Sequence, residues 1–209
     1  MKKPPAKPAK TRTRAARSDK PGKLRIIAGS WRGRAIEVSP GNLVRPTAER
    51  VREALFNRLA HAFTGEGFRI NGARVVDVFA GTGALGLEAL SRGAAHAIFL
   101  DRNPAAIEMI KRNVATFKAE DRATVMNANG AHLPRAAVAC DLAFLDPPYG
   151  EGLVAPALRG LALQGWLKPG ALVAVETDES EEAPEAAGFV LIDRRTYGRG
   201  AVSILRFTG

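Results

Sequence analysis

The stretch Arg74-Val-Val-Asp-Val-Phe-Ala-Gly-Thr-Gly-Ala-Leu-Gly86 decides the fold of this chain of 209 residues. Its first half, residues 74–79, is an apolar run that predicts a buried strand. Gly81, Gly83 and Gly86 then have the G-x-G-x-x-G spacing, which allows a tight turn and a close backbone approach to a ligand before a helix begins. The stretch therefore predicts the first strand, ligand loop and helix of an α/β sheet.

Strands and helices continue to alternate after this loop. The pattern predicts strands at 96–101, 123–127, 141–146, 171–176, 189–193 and 201–207, and helices to about 91, from 103 to about 118, and over about 152–164. Asn103 is a good N-cap and Pro104 suits the first helical position. Alternation of this kind predicts a parallel, doubly wound sheet, and the short turn between the last two strands predicts an antiparallel hairpin.

Two acids flank the glycine loop. Asp101 follows Gly81 by twenty residues at the end of the second predicted strand, where an acid binds ribose hydroxyls. This spacing indicates an adenosine-containing cofactor but does not choose between NAD and S-adenosylmethionine. Asp77 favours S-adenosylmethionine, because a carboxylate at this position repels the pyrophosphate of NAD and attracts the α-ammonium group of S-adenosylmethionine. The alternative is that Asp77 only caps nearby N–H groups at the strand end.

The motif Asp146-Pro-Pro-Tyr149 stands at the end of the fourth predicted strand. Pro147 and Pro148 lack N–H groups, so their carbonyls stay available, and Asp146 adds an acceptor. Tyr149 adds a ring on which a base can stack, a contact of ~1–3 kcal/mol. This combination suits a planar heterocycle with an exocyclic amino group; the alternative is a simple strand-to-loop turn.

The front of the chain predicts a hairpin followed by a helix. Strands are expected at 24–29 and 34–38, with Trp31, Arg32 and Arg34 at the hairpin tip as an RNA-contact surface. The alternative for the tryptophan is packing on its own domain. Thr47 is a candidate N-cap for the helix, whose apolar face is formed by Val51, Leu55, Leu59 and Ala62, and which ends near Gly65 and Gly67.

The positive charge is concentrated at this end. The net charge is +10, of which residues 1–25 contribute +9, residues 26–60 contribute +3 and the remaining 149 contribute −2. Residues 1–23 have no hydrophobic period and are predicted to be disordered. A basic tail on a near-neutral domain indicates a polyanionic partner, with improved solubility as the alternative.

The remaining composition excludes several classes of protein. No apolar run approaches the ~18 residues of a membrane span, and no hydrophobic segment follows the basic start as in a secretory signal. The single cysteine, Cys140, excludes an internal disulfide framework, suits a reducing cytoplasm and is interpreted as core packing. His61, His96 and His132 lack metal-ligand spacing, so no metal is expected.

Four motifs together resemble the RsmD family of bacterial methyltransferases, which modify guanine N2 in 16S ribosomal RNA, of the type that modifies guanine 966. They are Asp77-Val-Phe-Ala-Gly-Thr-Gly-Ala-Leu-Gly-Leu-Glu-Ala-Leu-Ser-Arg92, Asp146-Pro-Pro-Tyr149, Arg25-Ile-Ile-Ala-Gly-Ser-Trp-Arg-Gly-Arg34 and Arg45-Pro-Thr-Ala-Glu-Arg-Val-Arg-Glu-Ala-Leu-Phe-Asn57. The first two occur in many amino-methyltransferases, whereas the two N-terminal motifs are more specific. The long Lys/Pro/Ala tail departs from the family.

The resemblance implies a Rossmann-like, seven-stranded class I S-adenosylmethionine-dependent methyltransferase sheet over residues 69–209, with a small hairpin-and-helix extension over 24–68. The cofactor residues that it implies are Asp77, Phe79, Ala80, Gly81, Gly83, Asp101, Arg102 and Asn129. The implied catalytic residues are Asp146, Pro147, Pro148 and Tyr149, and the implied RNA-binding residues are Trp31, Arg32, Arg34, Arg45 and Thr47. A cytoplasmic monomer acting on an assembling small ribosomal subunit, without membrane or metal, is expected.

Other functions remain open at this point. The same site suits an amino-methyltransferase that acts on DNA adenine or cytosine, or on a protein glutamine. A protein of another class, an RNA-binding ribosome assembly factor with a vestigial methyltransferase fold, is opposed by the intact Asp77, Gly81, Gly83, Asp101 and Asp146. A nicotinamide oxidoreductase is disfavoured by the acid at position 77.

Overall fold

The computed structural model describes residues 24–38, 46–63, 65 and 67–209. Residues 1–23 and Arg45 lie outside the described residues, so the predictions for the tail and for Arg45 are not addressed by it. None of the described helices is long and apolar enough to cross a membrane.

The elements in chain order are α1 Pro46–His61, β1 Arg74–Val78, α2 Ala84–Ser91, β2 His96–Asp101, α3 Pro104–Phe117, β3 Ala123–Asn127, β4 Cys140–Leu145, α4 Val154–Leu163, β5 Leu167–Asp178, β6 Phe189–Tyr197 and β7 Gly200–Phe207.

The strands form one seven-stranded sheet with the order β3-β2-β1-β4-β5-β7-β6. Strands β1 to β5 are parallel to one another, while β7 is antiparallel to both β5 and β6. The predicted seven-stranded α/β sheet and its closing antiparallel hairpin are confirmed. Asn103 also caps α3 as expected, because its Oδ1 accepts a hydrogen bond from the Ala105 N–H at 2.9 Å.

The handedness of the connections decides which face of the sheet each helix covers. The chain moves from β1 to β2 to β3 in one direction and from β4 to β5 in the other. Since parallel strands are joined by right-handed crossovers, α2 and α3 lie on one face, here called the first face, and α4 lies on the second. Leu87 and Ile110 accordingly share a core with Phe99, whereas Leu158 packs in a separate core with Ala143.

Helix α1 covers the part of the first face that α2 and α3 leave open. The β6–β7 hairpin brings no helix with it, so the sheet there needs another cover. The ring centroids of Phe56 in α1 and Phe144 in β4 are 5.5 Å apart, and Arg58 forms a 2.8 Å ion pair with Asp193 in β6. The N-terminal extension therefore shares one core with the sheet. Thr47, the expected N-cap, is instead the second residue of a helix that begins at Pro46.

The N-terminal hairpin contains one bridged pair, Arg25 with Ala35, instead of the two full strands that were expected. The Ile26 N–H still donates to the Arg34 carbonyl at 3.0 Å and the Ile36 N–H to the Leu24 carbonyl at 2.9 Å, but the N–H groups that follow Ile26 need partners outside the hairpin. The carboxylate of Glu88 in α2, which is fully buried, accepts hydrogen bonds from the N–H groups of Ile27 at 2.7 Å and Ala28 at 3.0 Å. A side chain of the helix thus holds the hairpin in place of a partner strand.

Cys140 begins β4 and is fully buried. Burial, with a smaller contribution from the negative charge of Asp141, raises the pKa of its thiol to about 12. A thiol that stays protonated in a closed core is a poor nucleophile. The interpretation of Cys140 as a packing residue is confirmed.

We expect Gly29→Ala to destabilise the protein more than Gly33→Ala. Both glycines have left-handed backbones, with φ of 85° and 80°, so alanine at either position costs about 1–2 kcal/mol. A Cβ on Gly29 would lie 1.9 Å from the carbonyl oxygen of Ser91, whereas a Cβ on Gly33 meets nothing within 4 Å. The clash should add about 1–3 kcal/mol to the loss of unfolding free energy, measured by urea denaturation. Equal losses would show that the hairpin does not dock on α2 in solution.

Candidate active site

The candidate site is a cavity at the carboxyl edge of the sheet, where the strand order reverses between β1 and β4. Open α/β sheets bind their ligands in this crevice. The cavity has a volume of about 520 Å³ and brings together the loop after β1, the acid after β2 and the motif after β4. Its lining residues are Phe79, Gly81, Asp101, Arg102, Asn103, Asp146, Pro147, Pro148, Tyr149 and Leu153.

The loop after β1 is held in an unusual backbone conformation. Phe79, which is not a glycine, has a φ of 66°, a conformation that costs on the order of 1–3 kcal/mol. Its ring packs over Gly130, where an added Cβ would lie 2.4 Å from a ring carbon, so tertiary packing keeps Phe79 in place. At Gly86, an added Cβ would lie 2.3 Å from the ring of Phe99, so this glycine allows α2 to pack closely on β2.

Asp101 ties this loop to the start of α3. Its Oδ2 accepts a hydrogen bond from the Gly81 N–H at 2.9 Å, and its Oδ1 accepts one from the Asn103 N–H at 2.8 Å. Each carboxylate oxygen can accept a further hydrogen bond. The predicted acid therefore lies in the cavity, beside the glycine loop, with capacity left for a ligand hydroxyl.

Asp77 lies beneath the loop and is not one of the cavity-lining residues. It is 1% exposed, and its Oδ2 accepts a hydrogen bond from the Gly86 N–H at 2.9 Å. Burial raises its pKa well above the ordinary value; the Gly86 N–H opposes this shift, while the negative charges of Asp146 and Asp101 add to it. This geometry favours the capping interpretation, and a contact between Asp77 and the cofactor remains a prediction.

Three other predicted cofactor residues differ in how close they come to the cavity. Arg102 lies at the rim and faces Glu151 in an exposed 3.7 Å ion pair. Ala80 donates its N–H to the carbonyl of Leu100 at 3.0 Å, which joins the loop to β2. Asn129 follows β3, accepts a hydrogen bond from the Ala131 N–H at 3.0 Å and does not line the cavity. Its role near an adenine remains a prediction.

Glu176, which the sequence did not reveal, does not line the cavity but lies half-buried behind the lining residue Tyr149. Leu145 in β4 pairs with Val175 in β5, so Asp146 and Glu176 follow side by side on adjacent parallel strands. The hydroxyl of Tyr149 donates a 2.8 Å hydrogen bond to Oε1 of Glu176. An acid that ends an apolar strand is a weak signal, and it gains meaning only when β5 is known to lie next to β4.

The carboxyl groups of Asp146 and Glu176 affect each other. Water reaches Asp146 from the cavity, but the protein that surrounds its other sides and the nearby Glu176 raise its pKa above the ordinary value. Burial also raises the pKa of Glu176, and the hydroxyl of Tyr149 partly opposes this shift. Burial and the negative charge of Glu176 raise the pKa of Tyr149. In the described part of the chain neither Asp146 nor Glu176 forms an ion pair, so these acceptors lie together without a compensating cation.

The expectation that Trp31 forms an exposed RNA-contact surface is wrong. Trp31 is 9% exposed, and its ring centroid lies 4.9 Å from that of Phe117. The guanidinium group of Arg122 lies over the Trp31 ring, 5.2 Å from its centroid. The large apolar ring is more stable in the core than at a hairpin tip. Arg32 and Arg34 are exposed as predicted, although Arg34 also donates to the Thr116 carbonyl at 2.6 Å.

Asn113 connects the N-terminal extension to the glycine loop. It is 1% exposed, accepts a hydrogen bond from the Glu37 N–H at 2.8 Å and donates to the carbonyl of Thr82 at 3.0 Å. A polar residue on the buried face of α3 is the sequence signal that could have revealed this clamp. The backbone of the extension and the ligand loop therefore share one buried amide.

The described residues contain no group of three or more His, Cys, Asp or Glu side chains that could hold a metal ion.

A family model described as conserved hypothetical protein 95 matches residues 24–206. The Ribosomal RNA small subunit methyltransferase D of Escherichia coli K12 is 41% identical over 164 residues, which cover 78% of this chain and 79% of the relative. The chain belongs to the RsmD family.

Further comparisons agree with membership of the RsmD family. The Ribosomal RNA small subunit methyltransferase D of Haemophilus influenzae is 36% identical and covers 85% of this chain and 90% of the relative. The solved structure of the Escherichia coli protein yhhF has a TM-score of 0.75 at 38% identity, and the match covers 90% of this chain and 99% of that one. The fold is the class I methyltransferase fold, as the sequence motifs predicted.

We expect Tyr149→Phe to raise the pKa of Glu176 further. The tyrosine hydroxyl stabilises the ionised carboxylate, so its loss favours the protonated form. The titration of ¹³C-labelled carboxyl groups, followed by NMR, measures this change. Asp178, whose carboxylate accepts hydrogen bonds from Ser180, is the internal control and should titrate unchanged. An unaltered Glu176 titration would contradict the hydrogen bond.

Proposed function

We propose that the chain transfers a methyl group from S-adenosylmethionine to the exocyclic N2 amino group of a guanine in small-subunit ribosomal RNA. The observation that carries this proposal is the meeting of Asp101, the glycine loop and the motif Asp146–Tyr149 in one cavity. Membership of the RsmD family and the names of its relatives support ribosomal RNA as the substrate.

The charges of the cavity fit S-adenosylmethionine better than a dinucleotide. Asp101 and Asp146 line it, and the only cation among its lining residues in the described structure is the rim residue Arg102, which faces Glu151. Such a site repels a pyrophosphate and attracts a sulfonium and an ammonium group. Asp101 would hold the ribose hydroxyls and the backbone of Gly81 would approach the methionine portion. When bound, the cofactor supplies an electrophilic methyl group.

The residues after β4 would prepare the amine. The lone pair of the guanine amino group is conjugated with the ring, which makes the nitrogen a weak nucleophile. Hydrogen bonds from its N–H groups to the carboxylate of Asp146 and the carbonyl of Pro147 would turn that lone pair out of conjugation. Positioning of this kind can supply ~7–11 kcal/mol, and no strong base is needed because the proton can leave after the transfer.

Tyr149 would support the base from the side. Its ring is 45% exposed and is held by the hydrogen bond from its hydroxyl to Glu176. Stacking on an aromatic ring contributes about 1–3 kcal/mol per base. A guanine inside folded RNA must first leave its stack to reach this ring. Exposed cations of the extension, such as Arg32 and Arg34, and the basic residues 1–23 would contact phosphates without reading the sequence.

Labelled S-adenosylmethionine tests the proposal directly. The protein is incubated in parallel with 16S ribosomal RNA, small ribosomal subunits, DNA and total protein, and nucleosides from the labelled RNA are separated. Label in N2-methylguanosine is the expected result, and primer extension then maps the guanine. Label found only in DNA or only in protein would show that the substrate is not RNA. The absence of label from every arm would indicate a binding protein instead of an enzyme.

We expect Asp101→Ala to weaken the binding of S-adenosylmethionine by about 10- to 100-fold, because hydrogen bonds to a charged group contribute about 1.5–3 kcal/mol each. Isothermal titration calorimetry measures the affinity. Glu151→Ala, which removes an exposed carboxylate at the rim, is the matched control and should change the affinity little. Equal affinities of the Asp101 variant and the parent would remove Asp101 from the cofactor site.

We expect Asp146→Ala to lower the single-turnover rate of methylation by at least about 100-fold while the affinity for S-adenosylmethionine changes little. The physical reason is that Asp146 acts on the target amine, and misplacing a reacting group by about 1 Å costs on the order of 100-fold. Rapid-quench kinetics and calorimetry measure the two quantities. A large loss of cofactor affinity with an unchanged rate would assign Asp146 to the cofactor instead.

A further inference from the structure

We propose that Glu176 selects guanine by accepting a hydrogen bond from the N1–H group of the target base, next to the amino group held by Asp146. The inference rests on the proposed function and deepens it, because it names the group that tells guanine from other bases carrying an amino group. The motif Asp146–Tyr149 does not make that distinction, since it suits any planar amine, and the glycine loop is assigned to the cofactor.

The first step is the placement of the two carboxylates. Leu145 and Val175 are paired in the parallel β4–β5 ladder, so Asp146 and Glu176 are the next residues on strands about 4.8 Å apart. Phe144 and Ala174, two residues earlier on each strand, pack in the core of the first face. Because side chains alternate along a strand, Asp146 and Glu176 are expected on that same face.

The second step is the anchoring of Glu176 beside the stacking ring. Its Oε1 accepts the 2.8 Å hydrogen bond from the hydroxyl of Tyr149, which leaves Oε2 for another donor. A base stacked on this ring would bring its edge towards the carboxylate that holds the ring. Tyr149 and Glu176 therefore act as one unit, in which the ring contacts the face of the base and the acid its edge.

The third step is the order of groups across the sheet. Strands β2, β1, β4 and β5 are consecutive neighbours, and their carboxyl ends present Asp101, the glycine loop, Asp146 and Glu176 in that order. The groups that these residues would hold follow the same order, namely the ribose and the methionine portion of the cofactor, then the amino group and the N1–H group of the guanine. The atom next to the guanine amino group thus falls opposite the strand that carries Glu176.

The fourth step is the chemistry of the base edges. Guanine presents its N2 amino group and N1–H side by side, so two adjacent carboxylates each meet a donor. Adenine presents an amino group beside N1, which is an acceptor, and a carboxylate opposite that nitrogen would be repelled. Buried polar groups left unpaired make such a site strongly selective. Donation by N1–H would also offset the cost of holding two carboxylates together.

The test compares two target bases that share the N2 amino group and differ at N1 and C6. The guanine mapped in 16S ribosomal RNA is replaced by 2-aminopurine through ligation, which keeps the N2 amine, makes N1 an acceptor and lacks the O6 carbonyl, so the response of Glu176→Gln assigns the discrimination to N1. We expect the parent protein to prefer guanine by about 10- to 100-fold in kcat/KM, the range given by about 1–3 kcal/mol per base contact. Glu176→Gln, whose amide can donate to N1, should reduce or reverse this ratio by at least about tenfold.

Two controls separate selection from support of the fold. Tyr149→Phe removes the anchoring hydrogen bond but keeps the carboxyl group, so at a pH above the raised pKa of Glu176 it should lower both rates and retain the preference for guanine. Asp178→Asn removes a charge two residues along the same strand, where the carboxylate accepts from Ser180, and should leave the ratio unchanged. Thermal unfolding and cofactor affinity of each variant show whether it is folded.

Each outcome is decisive. A changed ratio in Glu176→Gln alone supports the inference, and an unchanged ratio, or equal shifts in all variants, overturns it. If Glu176→Gln fails to fold, the parent decides by itself, because equal rates on guanine and 2-aminopurine exclude recognition of N1–H. Methylation of neither base by the parent would overturn the proposed function, a failure distinguishable from loss of selectivity alone.

Discussion

The reversal of strand order between β1 and β4 is the constraint on which the rest of the structure depends. Since β2 and β4 flank β1 on opposite sides, the loops that follow β1 and β4 diverge and leave a crevice at the carboxyl edge. The handedness of the same crossovers places α2 and α3 on one face and α4 on the other. It also leaves the first face bare above β4, β5 and β7, which is why α1 is part of the core and not an appendage.

Buried polar side chains then connect the extension to the site. Glu88 accepts two N–H groups of the hairpin and pairs at 2.8 Å with Arg92, whose side chain is 13% exposed, so its removal would leave this cation and two part-buried donors without that partner. The cost should lie below the about 3–5 kcal/mol of a fully buried pair, because water still reaches Arg92. Asn113 extends the connection to Thr82 in the glycine loop. Contacts of the extension are thereby coupled to the backbone that would face the cofactor.

Charge is divided in a way that matches two different partners. The first 60 residues carry a net +12, whereas residues 61–209 carry −2 and contain the acids of the cavity. The carboxylates of Asp101 and Asp146, which line the cavity, suit the proposed cationic cofactor, while the exposed Arg32 and Arg34 of the N-terminal hairpin suit phosphates. If the whole surface carried one sign of charge, the binding of either the RNA or the proposed cofactor would be weakened.

The features that could be predicted from the sequence are those that depend on neighbours along the chain. The strands, the glycine loop with Asp101 and the motif Asp146–Tyr149 were predictable, because hydrophobic period, turn residues and strand ends are local properties. The sequence left packing of Trp31 on its own domain and capping by Asp77 as open alternatives, and it did not predict the single bridge of the hairpin or the bond from Tyr149 to Glu176. The tertiary structure settles all four, because each joins groups from separate segments of the chain, and their meeting depends on the order and register of strands that no local pattern encodes.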